Sequence, residues 1–128
     1  MLPGAKGLTQ ISISGCRQLQ DVSALSDMAN LTVLDLLECE SLEKMEPLRR
    51  LKKLRFLRIE GNEYLRNADV IKELTELTSV DLCNCPALEN VDDLKDLTNL
   101  MRLNLSGCRA LKNVEVLKGL KGLKIIEL

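Results

Sequence analysis

Leucine, in most cases followed by a polar residue, opens a recurring unit at Leu8, Leu31, Leu54, Leu77, Leu100 and Leu123, each start 23 residues after the last. No insertion or deletion interrupts the series. Within a unit, apolar residues recur at positions 1, 4, 6, 9, 12, 15, 18 and 21, and Asn62 alone at these positions is neither aliphatic, Met nor Cys. No charged residue occupies any of them. The spacing changes along the unit, and the change predicts two kinds of element. Positions 4 and 6 alternate with largely polar neighbours, as in Ile11/Ile13, Leu34/Leu36, Leu57/Ile59, Val80/Leu82 and Leu103/Leu105. That is the period of a strand with one buried face. From position 15 the spacing becomes three, as in Val22, Leu25, Met28 and Leu31, which suits a short 3₁₀ or α turn on the opposite side.

One strand and one short turn cannot bury a face alone. Stacked copies share a continuous aliphatic core and align their strands as a parallel sheet, so the period predicts a solenoid. The repeated motif, LxxLxLxxCxxL, is identified as that of the leucine-rich repeat family from Leu8 to Leu128. The run Asp21, Val22 and Leu25 after the cysteine resembles the short-helix repeats of the SDS22 and internalin type, with one residue added. The 23-residue length and the Cys at position 9 are similar to those of leucine-rich repeat proteins of trypanosomatid parasites. Plant resistance-protein repeats also carry an SGC sequence but usually follow it with a different convex segment. The resemblance implies an α/β fold, a right-handed superhelix with its parallel sheet concave and its 3₁₀ or α turns convex. It implies a binding scaffold rather than a catalyst. Full repeats are expected at 8–30, 31–53, 54–76, 77–99 and 100–122, with a partial sixth at 123–128 and a tail at 1–7 too short for a substantial cap.

Composition narrows the chemistry. The 128 residues suit one domain, and 28 of them are leucine against a single Phe and a single Tyr. With no histidine, imidazole acid/base work, triads and zinc fingers are excluded. There is no G-x-S-x-G, no phosphate-cradling glycine loop and no pocket-forming insertion, so no enzyme is expected. A net charge of −1 argues against a general polyanion binder. No signal-like apolar run opens the chain, and no apolar stretch is long enough to span a bilayer.

Cys16, Cys39, Cys85 and Cys108 all hold position 9, where the third unit has Asn62. The expectation is a buried ladder, Asn bonding loop backbone and Cys filling the same volume as a small hydrophobe. Parallel side chains on adjacent strands are poorly aimed for disulfides. Reduced thiols suit an intracellular chain, cytoplasmic or nuclear. Cys83, at position 7, is expected outward and exposed. Without a paired CxxC or a histidine, no metal and no cofactor is expected.

The irregular positions face outward. Position 16 carries Ser23, Glu46, Asp69, Asp92 and Glu115, and position 19 carries Ser26, Arg49, Lys72, Lys95 and Lys118, so from the second unit onward an acid stands three residues before a base on the convex side. The segment 44–55 concentrates Lys44, Arg49, Arg50, Lys52, Lys53 and Arg55, a candidate patch for an acidic ligand. The absence of interleaved aromatics and the acidic stretch Glu89, Asp92, Asp93, Asp96 make nucleic acid an unfavoured partner. On the sheet, positions 3, 5 and 7 point away from the core. Val33, Asp35, Leu37, Phe56, Arg58, Glu60, Asp81 and Arg102 form the candidate concave contact for a protein partner. Arg58 falls between Asp35 and Asp81, one strand to either side. The lone Phe56 is expected exposed beside Val33, with a polar rim. Asp35 and Asp81 lie two strands, about 10 Å, apart and cannot share a reacting atom. The sixth unit stops after its strand, leaving Ile125, Ile126 and Leu128 uncovered. The expectation is a fragment of a longer repeat protein, or copies that cover each other's ends by self-association.

Overall fold

The computed structural model of the chain describes residues 7–128; the tail expected at 1–7 therefore lies, except for Gly7, outside the described residues. Six strands follow one another: β1 (Gln10–Ser14), β2 (Val33–Leu37), β3 (Phe56–Glu60), β4 (Ser79–Asp81), β5 (Arg102–Asn104) and β6 (Ile125–Glu127). They form one parallel sheet in sequence order. The register steps by one unit at each strand, Gln10 opposite Val33, Val33 opposite Phe56, Phe56 opposite Ser79, Ser79 opposite Arg102 and Arg102 opposite Ile125. Thr32, Arg55, Thr78 and Met101 each donate a backbone N–H at 2.8 Å, 2.8 Å, 2.8 Å and 2.8 Å to the carbonyl one unit earlier. Equal spacing in sequence has become equal spacing in space.

The other half of each unit is 3₁₀, at Ser23–Leu25, Glu46–Arg50, Asp69–Ile71, Asp92–Asp96 and Glu115–Gly119. Its hydrogen bonds explain why apolar residues recur every third position there. In the first unit the N–H of Leu25 bonds Val22 O, that of Met28 bonds Leu25 O, and that of Leu31 bonds Met28 O. Three residues per turn stack those side chains on one face, and that face points into the coil. Position 14 prepares the turn. The side-chain carbonyls or carboxylate of Asp21, Asn67, Asn90 and Asn113 accept the N–H two residues on, from Ser23, Asp69, Asp92 and Glu115.

A sharp bend must connect strand to turn, and position 8 provides it. Gly15, Gly61 and Gly107 take φ of 69°, 73° and 76°. Glu38 (φ 54°) and Asn84 (φ 56°) occupy the same place in the other units. This left-handed region costs a Cβ-bearing residue about 1–2 kcal/mol, and Asn tolerates it better than Glu.

The interior is aliphatic. From Leu31 to Leu105 every position of the repeated set is buried, and Asn62 is the one buried polar side chain among the described residues. Its amide replaces the thiols of the sibling units with four hydrogen bonds. Nδ2 donates to Cys39 O (3.1 Å) and Leu42 O (2.7 Å), and Oδ1 accepts from the N–H of Tyr64 (2.9 Å) and Leu65 (2.8 Å). The thiols do less. Cys85 donates to Ile59 O at 3.3 Å and Cys108 to Leu82 O at 3.0 Å, each reaching the backbone of the preceding unit.

The cysteine expectations need two corrections. Cys83 is buried, not exposed. Its strand ends at Asp81, whose carboxylate accepts the Cys83 N–H at 3.0 Å, so the chain turns before the thiol can stand free. Cys16 is exposed and Cys108 half-buried rather than both enclosed. Neither has a full turn of chain packed on each side.

Candidate interaction face

Alternation along β2, β3 and β4 puts Leu34, Leu36, Leu57, Ile59 and Val80 inward and sends their neighbours to the concave face. Val33, Asp35, Leu37, Phe56, Arg58, Glu60 and Asp81 are all half-buried there, and Arg102 is exposed. Register brings five of the eight into one patch: Val33 opposes Phe56, and Arg58 opposes Asp35 on one side and Asp81 on the other. Leu37 and Glu60 oppose each other at the strand ends, while Arg102 stands two strands from Phe56.

Arg58 organises the patch. Its Nε lies 3.7 Å from Asp35 Oδ1 and 3.9 Å from Asp81 Oδ2. Both distances are charge contacts beyond hydrogen-bond range. Arg58 Nε and Asp35 Oδ1 are buried atoms that take no hydrogen bond. The guanidinium carbon sits 5.8 Å from the Phe56 ring centroid, a cation–π distance. One base thus separates two carboxylates that would otherwise repel and also roofs the ring, so Phe56 is half-covered rather than fully exposed. Asp81 is held further by Asn104, whose Nδ2 donates at 3.4 Å, and Asn104 in turn accepts from the Ser106 N–H and hydroxyl.

A shallow groove of about 200 Å³ continues from Phe56 and Arg58 past Asp81 and Asn104 to Arg102 and Ile125. Asn104 and Ile125 were not among the expected contacts. The column pattern was the available signal, since Asn104 follows Asp81 at position 5 and Ile125 follows Arg102 at position 3.

Charge on the outer sides is arranged differently from the run 44–55 in sequence. Arg49 is taken up by Glu46 at 2.5 Å and by Asp69, which together hold its pKa above the ordinary arginine range. Lys52 pairs with Glu73 at 3.3 Å, and Lys53 donates to Asn30 at 3.0 Å. Lys44, Arg50 and Arg55 are exposed; the Lys44 backbone forms a parallel bridge with that of Asp21 in the adjacent turn, while Arg55 leads into β3. The six bases do not converge. On the convex side Asp69–Lys72 and Glu115–Lys118 pair at 2.9 Å and 2.9 Å, and Glu46–Arg49 pairs as well, whereas Asp92 and Lys95 do not. Among the described residues no three His, Cys, Asp or Glu side chains converge as a metal requires. No helix among them is long and apolar enough to cross a membrane.

A family sequence pattern described as R13L1/DRL21 LRRs matches residues 37–108, more than half of the chain. The chain belongs to the R13L1/DRL21 leucine-rich repeat family. Solved structures agree on the fold of this R13L1/DRL21-type repeat. An internalin (InlF) of Listeria monocytogenes superposes with a TM-score of 0.73 at 22% identity over 85% of this chain. Internalin C2 of the same organism gives 0.76 at 25% over 90%. A leucine-rich repeat protein of Leptospira interrogans gives 0.74 at 19% over 100%. The chain spans 32%, 50% and 40% of those three chains. No curated protein sequence matches it closely.

Proposed function

We propose that this repeat domain is a non-catalytic scaffold that docks a protein partner on its concave sheet. The observation that carries the reading is Phe56, half-exposed at the centre of the sheet, flanked by Val33, roofed by Arg58 and walled by Asp35 and Asp81. An aromatic side chain in a rigid setting with a charged rim is the make-up of an interface hot spot. Its neighbours are fixed by the sheet, so little side-chain freedom is lost when a partner arrives. A plant peptide hormone receptor solved in complex with the peptide RGF2 shares the fold at a TM-score of 0.62 and 19% identity over 95% of this chain, of which this chain covers 24%. That likeness supports the choice of class and goes no further. Five free thiols, three of them buried, support a reducing, intracellular setting.

The test is affinity capture with wild type beside the double change Phe56→Ala/Arg58→Ala. Phe56→Ala is expected to weaken a concave partner by about 2 kcal/mol and to lower stability by less than about 1 kcal/mol. A partner held equally well by the double variant would show that binding lies elsewhere on the coil.

A further inference from the structure

The concave patch is continuous with a rim of one sign. The N–H of Glu38 bonds Glu60 O at 3.0 Å, and the N–H of Glu63 bonds Glu40 O at 3.2 Å, so four glutamates sit on adjacent backbone in the second and third units. Glu38 and Glu63 are exposed, Glu40 and Glu60 half-buried. The only base paired with them among the described residues is Arg17, 3.9 Å from Glu40 with both side chains largely in solvent. Such a pair is weak. In the other units the places of Glu38 and Glu60 are held by Gly15, Asn84 and Gly107 and by Ser14, Cys83 and Ser106. The acidity is therefore confined to the two turns that carry Val33, Leu37 and Phe56.

Resting on the concave docking reading, we propose that this surface takes a positively charged protein segment. The segment lies extended along β3 with an apolar side chain on Val33 and Phe56. Its lysines or arginines stand about four residues away, roughly 13 Å along the strand, over Glu60, Glu38, Glu63 and Glu40. The same rim repels nucleic acid and acidic peptides. Complementary rim charge mainly speeds encounter and selects partners, and it is screened over about 8 Å at physiological salt.

Panning a displayed library of random twelve-residue peptides on the whole chain tests this, followed by affinities of the selected peptides made synthetically. Selected sequences are expected to carry a Lys/Arg cluster about four residues from a Leu, Ile or Phe. Their binding should fall about tenfold with Glu38→Lys/Glu63→Lys, both exposed positions, and should weaken as salt rises. Asp92→Lys/Asp93→Lys, a reversal on the convex side, should change it less than twofold. Thermal melts confirm that each variant folds. Selected peptides that are neutral or acidic, or that ignore Glu38→Lys/Glu63→Lys, overturn the inference. If those peptides are still lost on Phe56→Ala, the concave docking reading stands without it. If nothing is enriched, or nothing enriched depends on Phe56, both fall.

Discussion

Cys85 and Cys16 hold the same position of the same repeated unit, yet Cys85 is 0% exposed and Cys16 is open to solvent. The difference extends through their units. In the fourth unit Leu77, Val80, Leu82, Cys85 and Leu88 are all enclosed, while in the first Leu8 is 45% exposed and Ile11, Ile13 and Leu19 are half-buried. The residues are chemically alike in the two places. What differs is the number of neighbouring turns: among the described residues the fourth unit has a turn packed on both sides, and the first on one side only. Burial here is a property of the stack, as expected for a fold whose stability is a sum of repeat and interface terms.

The largest effect should come from truncating the same position in the two settings. Leu82→Ala, in the enclosed fourth unit, is expected to cost about 3–5 kcal/mol. Leu128→Ala, two units on and 70% exposed, should cost less than about 0.5 kcal/mol. Urea unfolding of the two variants measures both; equal losses would mean that position in the stack does not set the burial.

Thiol chemistry sharpens the contrast. Burial pushes Cys83 and Cys85 up to about 12, with the Asp81 carboxylate adding to the effect at Cys83. The thiolate is the reactive form, so Cys16 should label first, on the order of a hundredfold faster than Cys39, Cys83 or Cys85. Mass spectrometry of a labelling time course reads the order directly. Raised pKa values also fix a sign. The neutral thiols stabilise the fold fully below the ordinary thiol range, and that contribution is lost as pH rises from about 9 towards about 12. Melting temperature should accordingly fall with alkali, and fall less when Cys83 and Cys85 are replaced by alanine in a variant that still folds.

Position 9 of the third unit offers a smaller test. Asn62→Leu removes four hydrogen bonds from buried backbone groups and should destabilise by about 1–3 kcal/mol. Asn62→Cys should cost less, since in the sibling units the N–H of Leu42 and Leu88 bonds the backbone carbonyl of Cys39 and Cys85 instead. The smallest effect concerns the bend. Glu38→Gly should stabilise by about 1 kcal/mol by relieving a left-handed side chain, and Gly61→Ala, at φ 73°, should destabilise by a similar amount. Thermal melts of the two variants moving in the same direction would contradict the shared bend.

Which side chains share the concave surface could be read in advance because strand alternation and a constant period leave little freedom. Once Phe56 falls at position 3 and Arg58 at position 5, their side of the sheet and their neighbours one unit away are determined. Cys83 was misread for a local reason: it lies beyond the end of β4, where alternation no longer governs orientation. The basic run failed as a cluster for a non-local one. Glu73 lies 21 residues from Lys52 and Asp69 lies 20 from Arg49, and such partners become visible only when adjacent turns of the coil are superposed.

The 23-residue period and its two internal spacings are enough to specify a parallel-sheet solenoid, its register and its inward set, because each depends on residues near in sequence or one unit apart. The left-handed bend was also written there, in the glycines before Cys16, Asn62 and Cys108. Three things required the folded coil: which units are enclosed, how Arg58 divides its charge between Asp35, Asp81 and the Phe56 ring, and where four glutamates from two units gather. These depend on how many turns cover a residue and where long side chains come to rest, and neither follows from the spacing of letters along the chain.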